Sequence, residues 1–474
     1  MALRRLVARV PIGTLAGEFA AIRERHGVSE TYPHEVVSQA LAAGTASGEL
    51  AHVEGERADR TDVPLVTIDP PGSMDLDQAL AIERRGEGWT VRYAIADVAA
   101  HVVPGSALDL DTWSRVETVY CPDMRVGLHP PQMSEGFASL LPGQRTKAVL
   151  WTIAVGADGS LGEASVERAW VTSRNKYSYD ELQNDPPADA RDLVAAMRGL
   201  GDARRAHLRE LGAVTLPRPS QEVVATADGL GLVFRAAVGV EDDNAQVSLL
   251  TGAAAARIML EAGVGVLRTM PPAPPDAVAR LRRQALALGI EWPEQATYAD
   301  VLAALDPTTP RAAAFLMQAT RLFRGAAWEP FDPPAVPMPA SLDHGALAQP
   351  YAHVTAPLRR LVDRYGTEVC LAHCAGREVP AWVLQALPTL GATMTAGVRT
   401  VSAVDRECVD VVEAAVLKPH VGEVFEGVGL DEHTVQLIDP AVVAKCSGEV
   451  VPGVVQRVRL VATGAGGANF EVVG

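Results

Sequence analysis

Pro64-Leu65-Val66-Thr67-Ile68-Asp69-Pro70-Pro71-Gly72-Ser73-Met74-Asp75-Leu76-Asp77-Gln78-Ala79 is the stretch on which the reading of this chain turns. An apolar, β-branched run leads into three aspartates within nine residues, broken by Pro-Pro-Gly-Ser. In extended chain, side chains two apart share a face, which puts the carboxylates of Asp75 and Asp77 together. The Pro-Gly turn can return Asp69 to that face. Three carboxylates at one edge repel one another unless a cation joins them. Mg²⁺ takes hard oxygen ligands and keeps water, which leaves room for a phosphate. The competing reading is a solvated acidic turn, the usual fate of a bare Asp-x-Asp. The longer pattern, with a strand before it and Gln78-Ala79 after it, favours the metal.

Composition bounds the rest. A chain of 474 residues has room for two to four domains. At 48% hydrophobic residues it can bury a sizeable core, which excludes wholesale disorder. Lys plus Arg number 42 against 58 Asp plus Glu, a net charge of −16. That acidity argues against a simple nucleic-acid binder, yet binding follows local fields, and a basic channel can lie inside an acidic shell. The five cysteines are scattered. With no signal peptide and no apolar run long enough for a membrane span, a reducing, cytoplasmic setting is expected, with no membrane association. Cys370 and Cys374, with His373 between them, lack a second ligand pair for zinc, and the cysteines read as small buried residues on a helix.

Along the chain, Leu15, Phe19 and Ile22 recur at helical spacing, with a stop at His26-Gly27. A second helix is predicted from Pro33, striped by Val36, Val37, Ala40 and Leu41, and a short strand at Glu49–Val53. Residues 1–60 thus suggest a helix-turn-helix or winged-helix-like module, with a helical cap on the main domain as the alternative. Strands are predicted at Trp89–Ile95 and Ala148–Val155, and a helix around Ala190–Leu211. The pattern is helical from Val247 to Arg324, with further helices from Pro357 to Leu417. The last residues change character. Gly422–Leu430, Thr434–Ile438, Val455–Val461 and Phe470–Val473 are short strands separated by turns, the pattern of a small OB-type barrel.

Further blocks accompany the acid cluster in order: Tyr93-Ala94-Ile95-Ala96-Asp97-Val98, Val119-Tyr120-Cys121-Pro122-Asp123 with Leu140-Leu141-Pro142-Gly143, Ser173-Arg174-Asn175-Lys176-Tyr177-Ser178-Tyr179, and Tyr351-Ala352-His353-Val354-Thr355-Ala356-Pro357-Leu358-Arg359-Arg360. Together they resemble the signature of the ribonuclease II and ribonuclease R (RNB) exoribonucleases. The resemblance implies an α/β (α+β) RNB catalytic domain over 61–400, flanked by the helical module at 1–60 and an S1-like OB-fold RNA-binding barrel at 418–474. It implies a monomer performing processive, Mg²⁺-dependent 3′→5′ hydrolysis of single-stranded RNA to nucleoside 5′-monophosphates. Asp69, Asp75 and Asp77 match metal-ligand positions, and Asp77 also the carboxylate essential for chemistry. Arg359 matches the arginine at the scissile phosphate, and Tyr120 and Tyr179 match aromatics that hold the 3′-terminal nucleotides. Asp97, Arg360 and Arg364 are expected to be structural.

The sequence departs from the family pattern in three places. Gln78 stands where the family has a fourth aspartate. Its amide oxygen can still coordinate Mg²⁺ but carries no charge, which leaves open a weakened enzyme or an RNA-binding protein that kept the fold. No acidic pair occurs near Leu249–Ala253, and the 60 leading residues cannot form the family's paired cold-shock domains.

Overall fold

The computed structural model describes residues 12–473 except 47, 54, 217–219, 227, 228, 236, 438, 465 and 466. The chain runs through α1 (Ile12–Arg25), α2 (His34–Thr45), β1 (Ala58–Asp59), β2 (Leu65–Ile68), β3 (Gln78–Arg85), β4 (Gly88–Ala96), α3 (Ala107–Arg115), β5 (Val119–Tyr120), β6 (Arg125–Val126), β7 (Arg145–Val155) and β8 (Leu161–Tyr177). There follow α4 (Tyr179–Asn184), α5 (Arg191–Glu210), the hairpin β9 (Ser220–Thr226) and β10 (Gly229–Arg235), α6 (Gly239–Ala262), β11 (Gly265–Thr269), α7 (Pro275–Ala287), α8 (Tyr298–Ala303), α9 (Pro310–Ala319) and β12 (Ala327–Phe331). After the two-residue strands β13 (Asp343–His344) and β14 (Gln349–Pro350) come α10 (Leu361–Cys374) and α11 (Ala381–Leu417). The chain ends in β15 (Val424–Asp431), β16 (Thr434–Leu437), β17 (Val443–Ser447), β18 (Val455–Gly464) and β19 (Gly467–Val472).

The central sheet has the order β1-β8-β2-β3-β4-β7, and β8 also pairs with β7, so the sheet closes on itself. Strand β8 is 17 residues long and serves three neighbours, antiparallel to β7 and parallel to β2 and β1. Against this sheet lie α5, α6 and α10. Val91, Tyr93, Ile95 and Trp151 of the strands share one core with Met197, Leu250, Ile258, Val362 and Tyr365 of the helices. Gly252 on α6 allows a close approach: a Cβ there would stand 2.1 Å from the Tyr351 ring and 2.6 Å from the Ala352 carbonyl oxygen. The segment from Tyr351 is thereby laid directly on α6.

The five C-terminal strands form a closed barrel in the order β15-β16-β17-β19-β18. This OB-like barrel agrees with the sequence reading, which missed β17. Ile438, the last residue of one expected strand, lies outside the described residues. The 37-residue α11 is the spine of the molecule. Its first half, through Val383, Leu387 and Met394, packs in the sheet core. Its second half, through Val404, Cys408 and Val412, packs on both α1 and the barrel.

The N-terminal expectation requires adjustment. Residues 49–53 make a loop and turn, not a strand. The helices α1 and α2 do not share a core: Leu15, Phe19 and Ile22 join α11, whereas Val36 and Ala40 pack with Val98, Val102 and Leu108. Each helix buries its apolar stripe against the larger body, the arrangement of a helical cap. The other differences are small. β11 interrupts the stretch read as helical, and α10 begins at Leu361 rather than Pro357. Cys374 is exposed, and all five cysteines are free thiols. Among the described residues no helix is long and apolar enough to cross a membrane.

Asp97, Arg360 and Arg364 are tied into buried ion pairs. Asp97 Oδ2 accepts from Arg57 (2.8 Å) and Arg168 (2.5 Å), and Arg168 reaches on to Glu368 (2.5 Å). The two guanidinium groups hold the Asp97 carboxyl below the usual carboxylate range despite full burial. Asp97→Ala removes the carboxylate shared by two buried guanidinium groups and leaves Arg57 only Glu49 and Arg168 only Glu368, so unfolding free energy should drop by about 3–5 kcal/mol in denaturant titrations. His129 tests the interior from the opposite sign. Burial lowers its imidazole to about 4, while its Nδ1 stands 3.0 Å from the Leu358 carbonyl oxygen, which requires Nδ1 to carry the proton. Below pH 6.5 the unfolded imidazole takes up a second proton and the folded one does not. Relative to His129→Gln, the native chain should therefore lose roughly 1.4 kcal/mol of stability per pH unit between about 6.5 and 4, as measured by denaturation at stepped pH.

Candidate active site

The acid cluster falls between β2 and β3, at one end of the sheet. Asp69 is the first residue past β2, its backbone N–H donating to the Tyr177 carbonyl at the end of β8 (3.0 Å). The chain then turns through Gly72, whose φ of +82° suits glycine. Leu76, with no exposed surface, anchors the return. Its N–H donates to Ser139 Oγ (2.9 Å), and Ser139 Oγ donates to the Met74 carbonyl (2.6 Å). Lys176 Nζ donates to the Ser73 carbonyl (2.5 Å). Alternation about the buried Leu76 presents Asp75 and Asp77 on either side of it.

The three acids meet different partners. Asp77 is buried, and its Oδ1 accepts the Leu358 N–H at 2.7 Å. Its Oδ2 lies 3.6 Å from Arg359 Nε. Burial pushes this carboxyl up to about 8, against the pull of Arg359 and the Leu358 N–H. Asp75 is ion-paired with Arg125, which also holds Glu135. Asp69 is different. Among the described residues nothing hydrogen-bonds its carboxylate, and burial raises it to about 6, with Lys176 and Arg359 opposing and Asp75 adding to the rise.

Arg359 leaves the loop before α10 with its side chain 48% exposed, enough to meet a phosphate while touching Asp77. Arg360, not Arg359, pairs with Asp363 (3.0 and 2.8 Å). The Tyr120 ring, at the end of β5, is 49% exposed beside the Arg359 guanidinium. Tyr179 is partly buried against the sheet core, its hydroxyl accepting from Asn244 Nδ2 (3.2 Å) within the field of Asp69. Asp69, Asp75, Asp77, Arg359, Tyr120 and Tyr179 are thus gathered at one end of the sheet.

Gln78 belongs to the same place but is engaged elsewhere. Its Nε2 donates to the Thr355 carbonyl at 2.5 Å, and its Oε1 accepts from the Tyr93 hydroxyl at 2.9 Å. Nor do the acids form a ready cage: among the described residues no three Asp, Glu, His or Cys side chains converge on one ion position. The donor set still suits Mg²⁺, which binds through one or two carboxylates and keeps several waters. Asp69 is the fitting anchor, being a half-buried carboxylate without a protein partner. Sequence reasoning missed the Leu358 N–H, Arg125 and Ser139. A backbone N–H carries no residue signature, and the other two lie in segments that only folding brings to the acids.

Comparison with known proteins bears on the family and the fold. The RNB domain family model matches residues 57–369, more than half of the chain. The chain belongs to the RNB domain family. Exoribonuclease 2 of Yersinia pestis is 33% identical over 145 residues, which are 30% of this chain and 22% of that relative. The chain therefore matches only about a fifth of that relative's length. The apo form of Mycoplasma genitalium RNase R superposes with a TM-score of 0.83 at 18% identity, covering 96% of this chain and 78% of that one. Yeast Ssd1, described as a pseudonuclease, superposes with a TM-score of 0.71 at 15% identity, covering 95% of this chain and 57% of that one. At such identities the superpositions establish a common fold.

The exposure of Tyr120 sets a direct test. Tyr120→Ala should weaken binding of a short single-stranded RNA in EDTA by about 1–3 kcal/mol, the worth of one stacked base. Fluorescence anisotropy measures it; unchanged affinity would remove Tyr120 from the RNA path.

Proposed function

We propose that this chain is a 3′→5′ exoribonuclease that hydrolyses single-stranded RNA processively to nucleoside 5′-monophosphates with Mg²⁺, acting as a monomer in the cytoplasm. The carrying observation is the juxtaposition of Asp77, fixed by the Leu358 N–H, with a half-exposed Arg359 and the open Tyr120 ring. Two superposed structures of Mycoplasma genitalium RNase R hold that enzyme in complex with ribose-methylated single-stranded RNA and with double-stranded RNA, which supports RNA as the ligand class here.

In this reading Tyr120 stacks on a base near the 3′ end and Tyr179 positions the terminal nucleotides, contacts that tolerate any base because every base has a π-face. Arg359 places its planar guanidinium on the scissile phosphate and offsets charge there. Mg²⁺ would be held by Asp69, with Asp75 and Asp77 at its side, and when bound it activates water and stabilises the leaving 3′ oxygen. Asp77, locked in one orientation, keeps its carboxylate directed at the reacting end. Arg125 holds Asp75 in place through their ion pair.

A 5′-labelled oligo(A) incubated with Mg²⁺ or with EDTA tests the reading. A descending ladder that needs the metal supports it. Tight binding without shortening would instead mark an RNA-binding protein that has lost the chemistry, and hydrolysis of small phosphodiesters alone would mark a different esterase. Asp77→Asn should abolish cleavage while RNA affinity persists, because stacking and phosphate contacts survive. Arg359→Ala should lower turnover by roughly 10²–10³, the usual cost of one charge-stabilising donor.

A further inference from the structure

Gln78 holds a position whose chemistry the proposed reaction does not use. We propose that Gln78 is a positioning residue: its amide ties the end of β3 to the Thr355–Arg359 loop and so sets the phosphate-binding arginine against Asp77, rather than serving as a ligand. The inference rests on the nuclease reading above and assigns this residue a role within it.

The hydrogen bonds form one chain. Ser248 Oγ on α6 lies 2.8 Å from the Tyr93 hydroxyl, which donates to Gln78 Oε1 (2.9 Å), and Gln78 Nε2 donates to the Thr355 carbonyl (2.5 Å). The polarity of the chain is forced. A carbonyl oxygen can only accept, so the amide nitrogen must face Thr355 and the amide oxygen must face Tyr93. Tyr93, fully buried on β4, pairs with Leu80 and is therefore the diagonal, same-face neighbour of Gln78, which pairs with Ile95. Ser248 then closes the chain by donating to Tyr93.

The neighbouring residue grips the same loop from the other side of the strand. Leu358 N–H donates to Asp77 Oδ1, and successive side chains on a strand point to opposite faces. The loop thus straddles the strand end, held at Thr355 by Gln78 and at Leu358 by Asp77. Asp363 braces it from within, its Oδ2 accepting the Ala356 N–H at 2.6 Å. Arg359, the next residue, inherits its position from these contacts.

An aspartate at position 78 could not make this strut. It is one methylene shorter, has no donor for the Thr355 carbonyl, and would set a carboxylate against a carbonyl oxygen. The departure from the family's fourth acid therefore exchanges a charge for a donor at the loop.

The experiment is a double-mutant cycle on the full chain using Gln78→Glu and Arg359→Ala, with Mg²⁺ titrations of each protein. Gln78→Glu keeps the shape and the acceptor, removes the donor to Thr355, and supplies a carboxylate. Positioning predicts a turnover loss of about 10²-fold, the cost of misplacing a reacting group by an ångström. It also predicts a KM that changes far less and a half-saturating Mg²⁺ that does not fall. The double variant should be no more than roughly threefold slower than Arg359→Ala alone, because both changes act through one group. Tyr93→Phe, which removes only the hydroxyl that orients the amide, should show a smaller loss with the same non-additivity, and it serves if Gln78→Glu does not fold. Equal or faster turnover in Gln78→Glu at lower Mg²⁺, or losses that multiply with Arg359→Ala, would overturn the proposal. If the native chain shortens no RNA, the nuclease reading fails alone. The strut is then decided by a double-mutant cycle of Gln78→Glu with Tyr93→Phe read as unfolding free energy, with non-additive losses supporting it and additive losses overturning it.

Discussion

The docking of the Thr355–Arg360 loop onto the end of β3 is the contact from which the candidate site takes its shape. It joins residues 281 positions apart, through the Leu358 N–H donated to Asp77. A buried carboxylate is costly unless hydrogen bonds or opposite charge compensate it, and here both come from one loop. The same loop is fixed by Asp363 at Ala356, by Gln78 at Thr355, and by His129 at the Leu358 carbonyl. A segment pinned at so many atoms has little freedom to relax, so Arg359 and Asp77 keep their relation before any substrate arrives. Preorganisation of this kind is what makes a charged site effective against a developing charge.

The electrostatics of the site are unbalanced in an informative way. Asp75 is answered by Arg125, and Asp77 by Arg359 and a backbone N–H, but Asp69 has no protein partner among the described residues. Asp97, by contrast, is closed between Arg57 and Arg168. One acid without a hydrogen-bond partner beside two that are engaged suits a divalent ion that keeps much of its water. The net charge of −16 is no obstacle, because Arg359, Lys176 and Arg125 surround the acids locally.

Around this centre the architecture is arranged by α11. One helix long enough to reach from the sheet core to the barrel couples the two. The barrel is also gripped by α9, where Phe315 and Leu316 share a core with Val428 and Leu430. The leading helices add cover at two separate places rather than forming a unit of their own. An amphipathic helix needs only an apolar surface opposite its stripe, and nothing in the stripe says whether that surface belongs to a neighbouring helix or to a sheet domain.

The amino-acid sequence by itself determined the strands and long helices whose apolar periodicity is strong and the barrel at the C-terminus; the acids stood out by their own chemistry, whereas the arginine and the tyrosines were singled out only through the family resemblance. Periodicity and residue chemistry are local properties, so they survive without coordinates. Short or weakly patterned elements escaped: β11 inside an alanine-rich helical run, and β17, where Val443-Ala444-Lys445-Cys446-Ser447 alternates too faintly. Only the tertiary structure decided which acid is free, which is paired, and where the amide of Gln78 is spent. Those outcomes depend on Leu358, Thr355, Tyr93 and Arg125, which lie far away in sequence or act through backbone atoms. A hydrogen bond is fixed by distance and direction in space, and neither is written in the order of residues.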